Sequence, residues 1–554
     1  MTDASHAQDS PAAGKPGKPK KKGHRMGPVR DNLEGFGAAI LAAVLLKWFC
    51  IEAYQIPTSS MQPTMMGCTE AGVYDRLLVD KIRYVLFEPQ RWDITVFHYP
   101  LQKNQNYVKR CVGTGGEHGE RLSIAGGNLY LVEMVDNKPV YHVLRKPEYV
   151  QRGLWKEIYP MRRLLRNETA GLGGSWAQSP RSAWSEDGDT FTVDLGDGRA
   201  ARLTYRDEED GGVVDRVWDG YSLAVGRKMR EAHLSEGRKQ EIVPDVKFAA
   251  ALTPGGRLDD FAFEIEVLRP NLDRRAYAFE WSAGRARLTV RQAPAPAPPL
   301  LASEPFDCAL EPGVTTDLAF ARLDDELVCW CNGKELPRLD VAAFHTREGC
   351  TLAGPKATAN HCVNAQLLLK GKGKLALRDL RLWRDQHYTR STAPEFIDVP
   401  PHHYFMMGDN TLQSVDGRDW TAIKVGVLPD GTMVPPEEAL KVPGGRVVRG
   451  NKRPVAPSQE PDRDETPVVF PSRQQVAMID EFGEILALRT GVSPAYGNDN
   501  VLFQRLGSSD GLGDWKPPEE KVSFVPREHI CGRALLGFWP FWPFSTENRL
   551  GVIR

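Results

Sequence analysis

Apolar and polar residues alternate over long stretches of the chain, at the period of two that a half-buried strand requires. Phe261, Phe263, Ile265 and Val267 share one side of such a segment, and Tyr277, Phe279 and Trp281 share one side of the next. The run Leu327–Cys331 ends at Asn332-Gly333, a strong two-residue hairpin signal. Leu375–Trp383 closes the series. Short strands with this turn punctuation predict an antiparallel sandwich over residues 150–390. A second stretch, 425–520, is rich in Pro, Gly and charge and predicts a partly irregular surface excursion with a helix at 474–488.

One run breaks the alternation. Gly35–Leu46 carries no charge, Lys47 interrupts it, and Trp48–Ile51 continues it. Twelve uncharged residues fall short of the ~20 that cross a bilayer. Lys47 can reach the interface along its own stem, and Trp48 suits the headgroup region. The reading adopted is a single transmembrane helix over 31–53, in preference to a cleaved signal peptide or a buried soluble helix. Residues 1–30 hold Lys15, Lys18, Lys20, Lys21, Lys22, Arg25 and Arg30 against Asp3 and Asp9, with Pro, Gly and Ala between. That composition predicts a disordered basic tail on the cytoplasmic side, with everything after residue 54 outside.

Composition narrows the class without choosing it. The chain has 554 residues, 41% of them hydrophobic, which excludes a collagen, a wholly disordered chain and a polytopic membrane protein. Lys and Arg number 71 and Asp and Glu 72, so no global field favours nucleic acid. Nine Cys give no readable disulfide framework. Cys329 and Cys331 read as core residues on one strand, and His402-His403 as a strand start rather than a metal site.

Chemistry concentrates in three blocks. Pro57 and Pro63 bracket Ser59-Ser60-Met61 in a rigid, extended segment that could display a nucleophilic hydroxyl. Tyr107, Lys109 and Cys111 share one face of a strand that ends in glycines. A lysine there is desolvated, which lowers an amine's pKa from ~10.4 and lets the neutral form take a proton from a serine. The strand at 403–407 runs into a Gly408-Asp409-Asn410 turn, after which Ser414, Asp416 and Arg418 alternate on one side.

Together these blocks resemble bacterial type I signal peptidase (leader peptidase), a membrane-anchored Ser/Lys-dyad serine protease. The family's ordered blocks are matched by Pro57–Thr64, Arg91–Phe97, Tyr107–Arg110, Gly408–Arg418, and Val525-Pro526 with Gly532–Ala534. The resemblance covers roughly 54–135, 396–424 and 521–551. It implies a mainly β fold: an antiparallel β catalytic domain after one N-terminal transmembrane helix. That domain would occupy 54–149, 391–424 and 521–554, the last part with an aromatic tail (Phe538–Phe544) suited to lipid contact. The sandwich at 150–390, similar to jelly-roll or laminin-G folds, and the excursion at 425–520 are then insertions.

Carried over by position, Ser60 resembles the nucleophile and Lys109 its general base. The oxyanion hole would combine the Ser60 N–H with the Thr58 hydroxyl. Ser414 resembles the residue that orients the lysine, Asp416 and Arg418 its supporting ion pair, and Asp409 and Asn410 the adjoining turn. Ile56, Pro57, Met61, Tyr107 and Val108 would line the substrate groove. Trp92 and Gly417 depart from the family, which has Gly and Ser there. The implied activity is removal of N-terminal signal peptides from secreted preproteins at the bacterial cytoplasmic membrane, with no metal and no cofactor. Partners are preprotein signal peptides and the lipid bilayer, with a glycan or protein ligand left open for the sandwich and no nucleic acid. Two rivals are weighed: a self-cleaving repressor-type Ser/Lys protease, and a membrane-tethered glycan- or protein-binding scaffold with an inactive peptidase-like domain.

Overall fold

The computed structural model describes residues 28–165, 175–206, 212–232, 241–268, 274–293, 298–342, 362–429, 433–453, 476–480, 485–488, 501–504, 519–539 and 551–552. The basic tail up to residue 27 and most of the aromatic tail lie outside these residues. The chain divides into two units, 1–51 and 52–554.

In the first unit, Pro28–Leu45 is an α-helix of 18 residues, continued by a wider helical turn at Leu46–Cys50. Phe36, Ile40, Leu41, Trp48 and Phe49 are exposed. No helix among the described residues is long and apolar enough to cross a membrane. This corrects the expected span 31–53. Arg30, Asp31 and Glu34 lie inside the helix, and from Ile51 the backbone is already a strand. The apolar stretch between charges is therefore too short.

The second unit is mainly β. An 8-stranded sheet orders its strands Ile51–Gln55, Arg76–Asp80, Ile530–Trp539, Ile94–Tyr99, Gln102–Thr114, His403–Met407 and Phe524–Pro526, with Gly551–Val552 beside Ile530–Trp539. Strands far apart in sequence are thus neighbours: Met407 pairs with Arg110, and Ile530 with Phe97. A 4-stranded sheet (Ile397–Val399, Glu120–Ala125, Asn128–Val135, Lys138–Val143) adjoins it through a shared apolar core containing Val112, Leu122, Phe405 and Met407.

Between these pieces of chain runs a 15-stranded sheet, from Lys156–Tyr159 to the long strand Cys362–Arg384. Phe261, Phe263, Ile265 and Val267 are buried, as are Tyr277, Phe279 and Trp281, because alternation sends each set to one side of its strand. Strands distant along the sheet meet across one core, Arg274–Ser282 packing on Glu326–Cys331. Asn332 and Gly333 take positive φ values of 49° and 75°, as the tight hairpin requires.

The stretch 425–520 contributes to a 7-stranded sheet built on Thr421–Val427. The expected helix at 474–488 does not form. Val476–Asp480 and Ile485–Leu488 are antiparallel strands, Val476 opposite Leu488 and Ile479 opposite Ile485. Val476, Ile479 and Ile485 are β-branched and prefer the extended backbone, which the apolar count alone did not weigh.

Candidate active site

Ser60 sits in a single 3₁₀ turn, Ser59–Met61, entered from Thr58 in extended conformation. The turn is fixed from both sides. Met61 packs inward among Ile56, Met65, Leu77, Val79, Ile94 and Val96. From across the site the Asn410 N–H donates to the Ser60 carbonyl at 3.1 Å, and Asn410 Nδ2 donates to the Ser59 carbonyl at 3.1 Å. Thr58 Oγ1 and Ser60 Oγ stand 3.3 Å apart, so both hydroxyls open on the same space.

Lys109 lies on Gln102–Thr114, opposite Thr95, and is 2% exposed. Its strand packs against the Ser59–Met61 turn. Lys109 Nζ stands 5.7 Å from the centre of the Tyr107 ring, itself stacked on Tyr99 at 4.4 Å.

Two buried ion pairs frame the Gly408–Arg418 loop. Arg418 Nε and Nη2 donate to Asp416 Oδ1 and Oδ2 at 2.8 and 2.7 Å, and the Gly408 N–H donates to Asp416 Oδ2 at 2.9 Å. Burial alone would push the Asp416 carboxyl up. The Arg418 guanidinium, the Gly408 N–H and Lys109 outweigh it and hold the carboxyl below the usual range. Arg110 makes the second pair with Asp409 and also donates to the Trp92 carbonyl at 2.9 Å. Burial is again outweighed, and the Asp409 carboxyl is held low. Ser414 is buried and its hydroxyl has no hydrogen-bond partner among the described residues.

Gly408 is required by space. A Cβ there would collide with the Ser60 carbonyl and the Ser414 side chain. Gly417 likewise faces the Ser523 and Met406 carbonyls and the Phe405 ring, which leaves no room for a side chain.

The sequence-derived site residues are therefore distributed in three ways. Thr58, Ser60 and Asn410 are joined by hydrogen bonds, Asp416 pairs with Arg418 and Asp409 with Arg110, with Lys109 on the strand beside the Ser60 turn and Ser414 in the same loop as Asp416. Of the residues expected to line a groove, Pro57 is exposed and Tyr107 and Val108 are half-buried. Ile56 and Met61 are core residues, 3% and 1% exposed, so they support the site from beneath rather than facing a ligand. Sequence reasoning gave no role to Arg110, although its place beside Lys109 was the available signal: adjacent strand residues face opposite ways, and a charge facing inward needs a partner.

Away from the site, the carboxylates of Asp245, Asp324 and Asp385 lie within 4.8 Å of one another and are buried. They carry the donor chemistry of a hard-cation site, but the chain supplies cations of its own. Lys146 Nζ contacts Asp324 and lies 3.0 Å from Asp385, and Arg322 contacts Asp245. Burial pushes the Asp245 carboxyl up to about 7 despite Arg322, with Asp385 and Asp324 adding to the rise.

The residues that carry this geometry between 29 and 156 and between 353 and 435 fall in the segments that known proteins match. The family described as Signal peptidase, peptidase S26 matches residues 29–156 and 353–435, the two segments that flank most of the large sheet. Signal peptidase I of Aquifex aeolicus is 38% identical over 78 residues, 14% of this chain and 28% of that protein. Signal peptidase I of Pseudomonas aeruginosa is 32% identical over 122 residues, 19% of this chain and 41% of that protein. Probable signal peptidase I-1 of Synechocystis is 32% identical over 130 residues, 22% of this chain and 60% of that protein. In these segments the chain is similar to the peptidase S26 class, and within that class to the type I signal peptidases. It spans between 28% and 60% of the length of these three relatives. Among solved structures, sheep galectin-11 is 10% identical at a TM-score of 0.17, covering 26% of this chain and 92% of its own. The endo-β-1,3-glucanase of Pyrococcus furiosus is 8% identical at a TM-score of 0.26, covering 46% and 98%. At these scores neither likeness bears on function.

Proposed function

We propose that the chain is a serine endopeptidase that removes N-terminal signal peptides from secreted preproteins. Ser60 attacks the scissile carbonyl, and Lys109 takes its proton as general base and returns it to the leaving amine. The Ser60 N–H and the Thr58 hydroxyl receive the negative charge that develops on the carbonyl oxygen. Water then hydrolyses the ester to Ser60, with Lys109 again accepting the proton. Ser414, whose buried hydroxyl is left without a partner among the described residues, is assigned to orient the lysine during turnover, and the Asp416–Arg418 pair holds the loop that carries it. An extended substrate passes Pro57, Tyr107 and Val108 and pairs with the exposed backbone there by strand addition.

The observation that supports this most is the pairing of the Thr58 and Ser60 hydroxyls at 3.3 Å on a turn clasped by Asn410 against the Lys109 strand. In this reading the exposed apolar side chains Phe36, Ile40, Leu41, Trp48 and Phe49 hold the protein at the surface of the bacterial cytoplasmic membrane, where signal peptides emerge. The large sheet is an insertion between parts of the catalytic domain.

The test is cleavage of a secretory preprotein by the detergent-solubilised full chain, with the new N-terminus identified. Cleavage after a small residue at the signal-peptide junction, lost in Ser60→Ala and Lys109→Ala, is the expected result. Cleavage that survives in either variant refutes the assignment.

A further inference from the structure

The strand Cys362–Arg384 leaves the large sheet and passes directly into the candidate active site through residues 385–389. Its upstream end is locked. Arg384 Nε donates to Asp219 Oδ2 at 2.6 Å, the Asp385 N–H donates to the Asp245 carbonyl at 2.9 Å, and Gln151 Nε2 donates to Asp385 Oδ1 at 2.8 Å. All of these residues are buried.

The downstream end grips the loop after Gly408. Gln386 Nε2 donates to the Asp409 carbonyl. Thr411 Oγ1 donates to the His387 carbonyl at 2.8 Å, and Thr389 Oγ1 donates to the Thr411 carbonyl at 3.2 Å. Arg418 Nη1 donates to the Thr389 carbonyl at 2.8 Å and to Thr389 Oγ1 at 3.1 Å. The single Thr389 hydroxyl thus gives its proton to the loop and receives one from Arg418, which uses both of its roles. The loop so gripped carries Asn410, which clasps the Ser59 and Ser60 carbonyls, and Asp416, which holds the Gly408 N–H.

We propose that Thr389 and Gln386 are positioning residues for the peptidase reaction, through which the inserted sheet sets the place of Asn410 and of the Arg418–Asp416 pair. This rests on the peptidase reading above. Neither residue touches the proposed reacting groups. A rigid anchor at 384–385 and a hydrogen-bonded loop at 409–411 leave the segment between them little freedom, and small displacements of a reacting geometry are costly.

The experiment compares wild type, Thr389→Val, Thr389→Ser and Gln386→Met in two assays on the full chain. With a signal-peptide substrate, Thr389→Val and Gln386→Met are expected to lower kcat about tenfold with KM within about twofold, and Thr389→Ser to restore most of the loss. Amide hydrogen exchange without substrate is expected to speed up at Asn410 in Thr389→Val by about tenfold and to stay at the wild-type rate in Thr389→Ser. Equal loss in the Val and Ser variants overturns the proposal, as does a rise in KM alone. Unchanged exchange at Asn410 also overturns it. If wild type cleaves no signal peptide, the peptidase reading has failed, and the exchange assay still decides whether the segment positions the loop.

Discussion

Arg110 and Asp409 form a two-point buried ion pair across 299 positions of sequence, Nε to Oδ1 at 2.8 Å and Nη2 to Oδ2 at 2.7 Å, with neither side chain exposed. The pair ties the Lys109 strand to the Gly408 loop and requires the intervening chain to return its ends to one place. A buried charge left without its partner costs ~3–5 kcal/mol. Asp409→Asn or Arg110→Met should therefore lower the free energy of unfolding by about that amount in a denaturant titration. The double variant Arg110→Met/Asp409→Leu should lose less than either single change, because no orphan charge remains. The Asp409 carboxyl is held below its ordinary range, burial opposing and Arg110 prevailing. Its contribution is therefore present above the unfolded carboxylate pKa and disappears as pH falls through the lower folded value.

Trp92 holds a left-handed backbone, with φ at 77°. Two effects oppose each other there. A left-handed backbone costs a non-glycine residue ~1–2 kcal/mol. The indole, 4% exposed, packs 6.1 Å from the Tyr388 ring and under Lys146 Nζ at 5.8 Å, and removing a buried Trp side chain costs ~3–5 kcal/mol. Packing wins, so both Trp92→Gly and Trp92→Ala should destabilise. Trp92→Gly should be the more stable of the two by about 1 kcal/mol, because only it relieves the backbone. Equal unfolding midpoints for the two variants would contradict the strain argument.

Gly408→Ala tests the contact between the loop and the nucleophile turn. The added methyl meets the Ser60 carbonyl and the Ser414 hydroxyl, so one side must move. Displacements of that kind cost roughly 10²-fold in rate. The expected outcome is a kcat/KM loss of that order for signal-peptide cleavage, with the far-ultraviolet spectrum of the β fold retained.

His387 supplies a pH dependence of opposite origin to that of the carboxylates. Burial, helped by the nearby Arg384, lowers its pKa to about 4, and its ring packs against Gly127. The unfolded chain takes up the proton near ~6.5, whereas the folded chain resists it down to about 4. Stability is therefore fully present above pH ~6.5 and is lost as pH falls from there toward the folded value. Thermal melts of wild type and His387→Gln between pH 7 and 4 should show a shallower decline in the variant.

Much of this architecture was legible in the chain, for identifiable reasons. The strands at 261–267 and 274–282 announced themselves by strict alternation, and the hairpin at Asn332-Gly333 by its turn residues. The Asp416–Arg418 pair was legible because alternation puts both side chains on one side of the chain. What failed lay where a local pattern depends on partners. The apolar run at 474–488 carries no sign of the neighbouring strands that make it extended. The N-terminal run reads as a span only if charges at its ends are ignored. The Arg110–Asp409 pair and the grip of Thr389 on the Thr411 carbonyl join residues through tertiary contact alone, and spacing holds no trace of either.

In the proposed reaction the Ser60 hydroxyl forms the covalent bond to substrate. Its most direct test is acid quenching of the full chain during turnover of a signal-peptide substrate, followed by mass mapping of the modified peptide. An acyl ester on Ser60, absent from Lys109→Ala, is the predicted result. An ester on Ser59 or Ser414, or continued turnover by Ser60→Ala, would contradict the account.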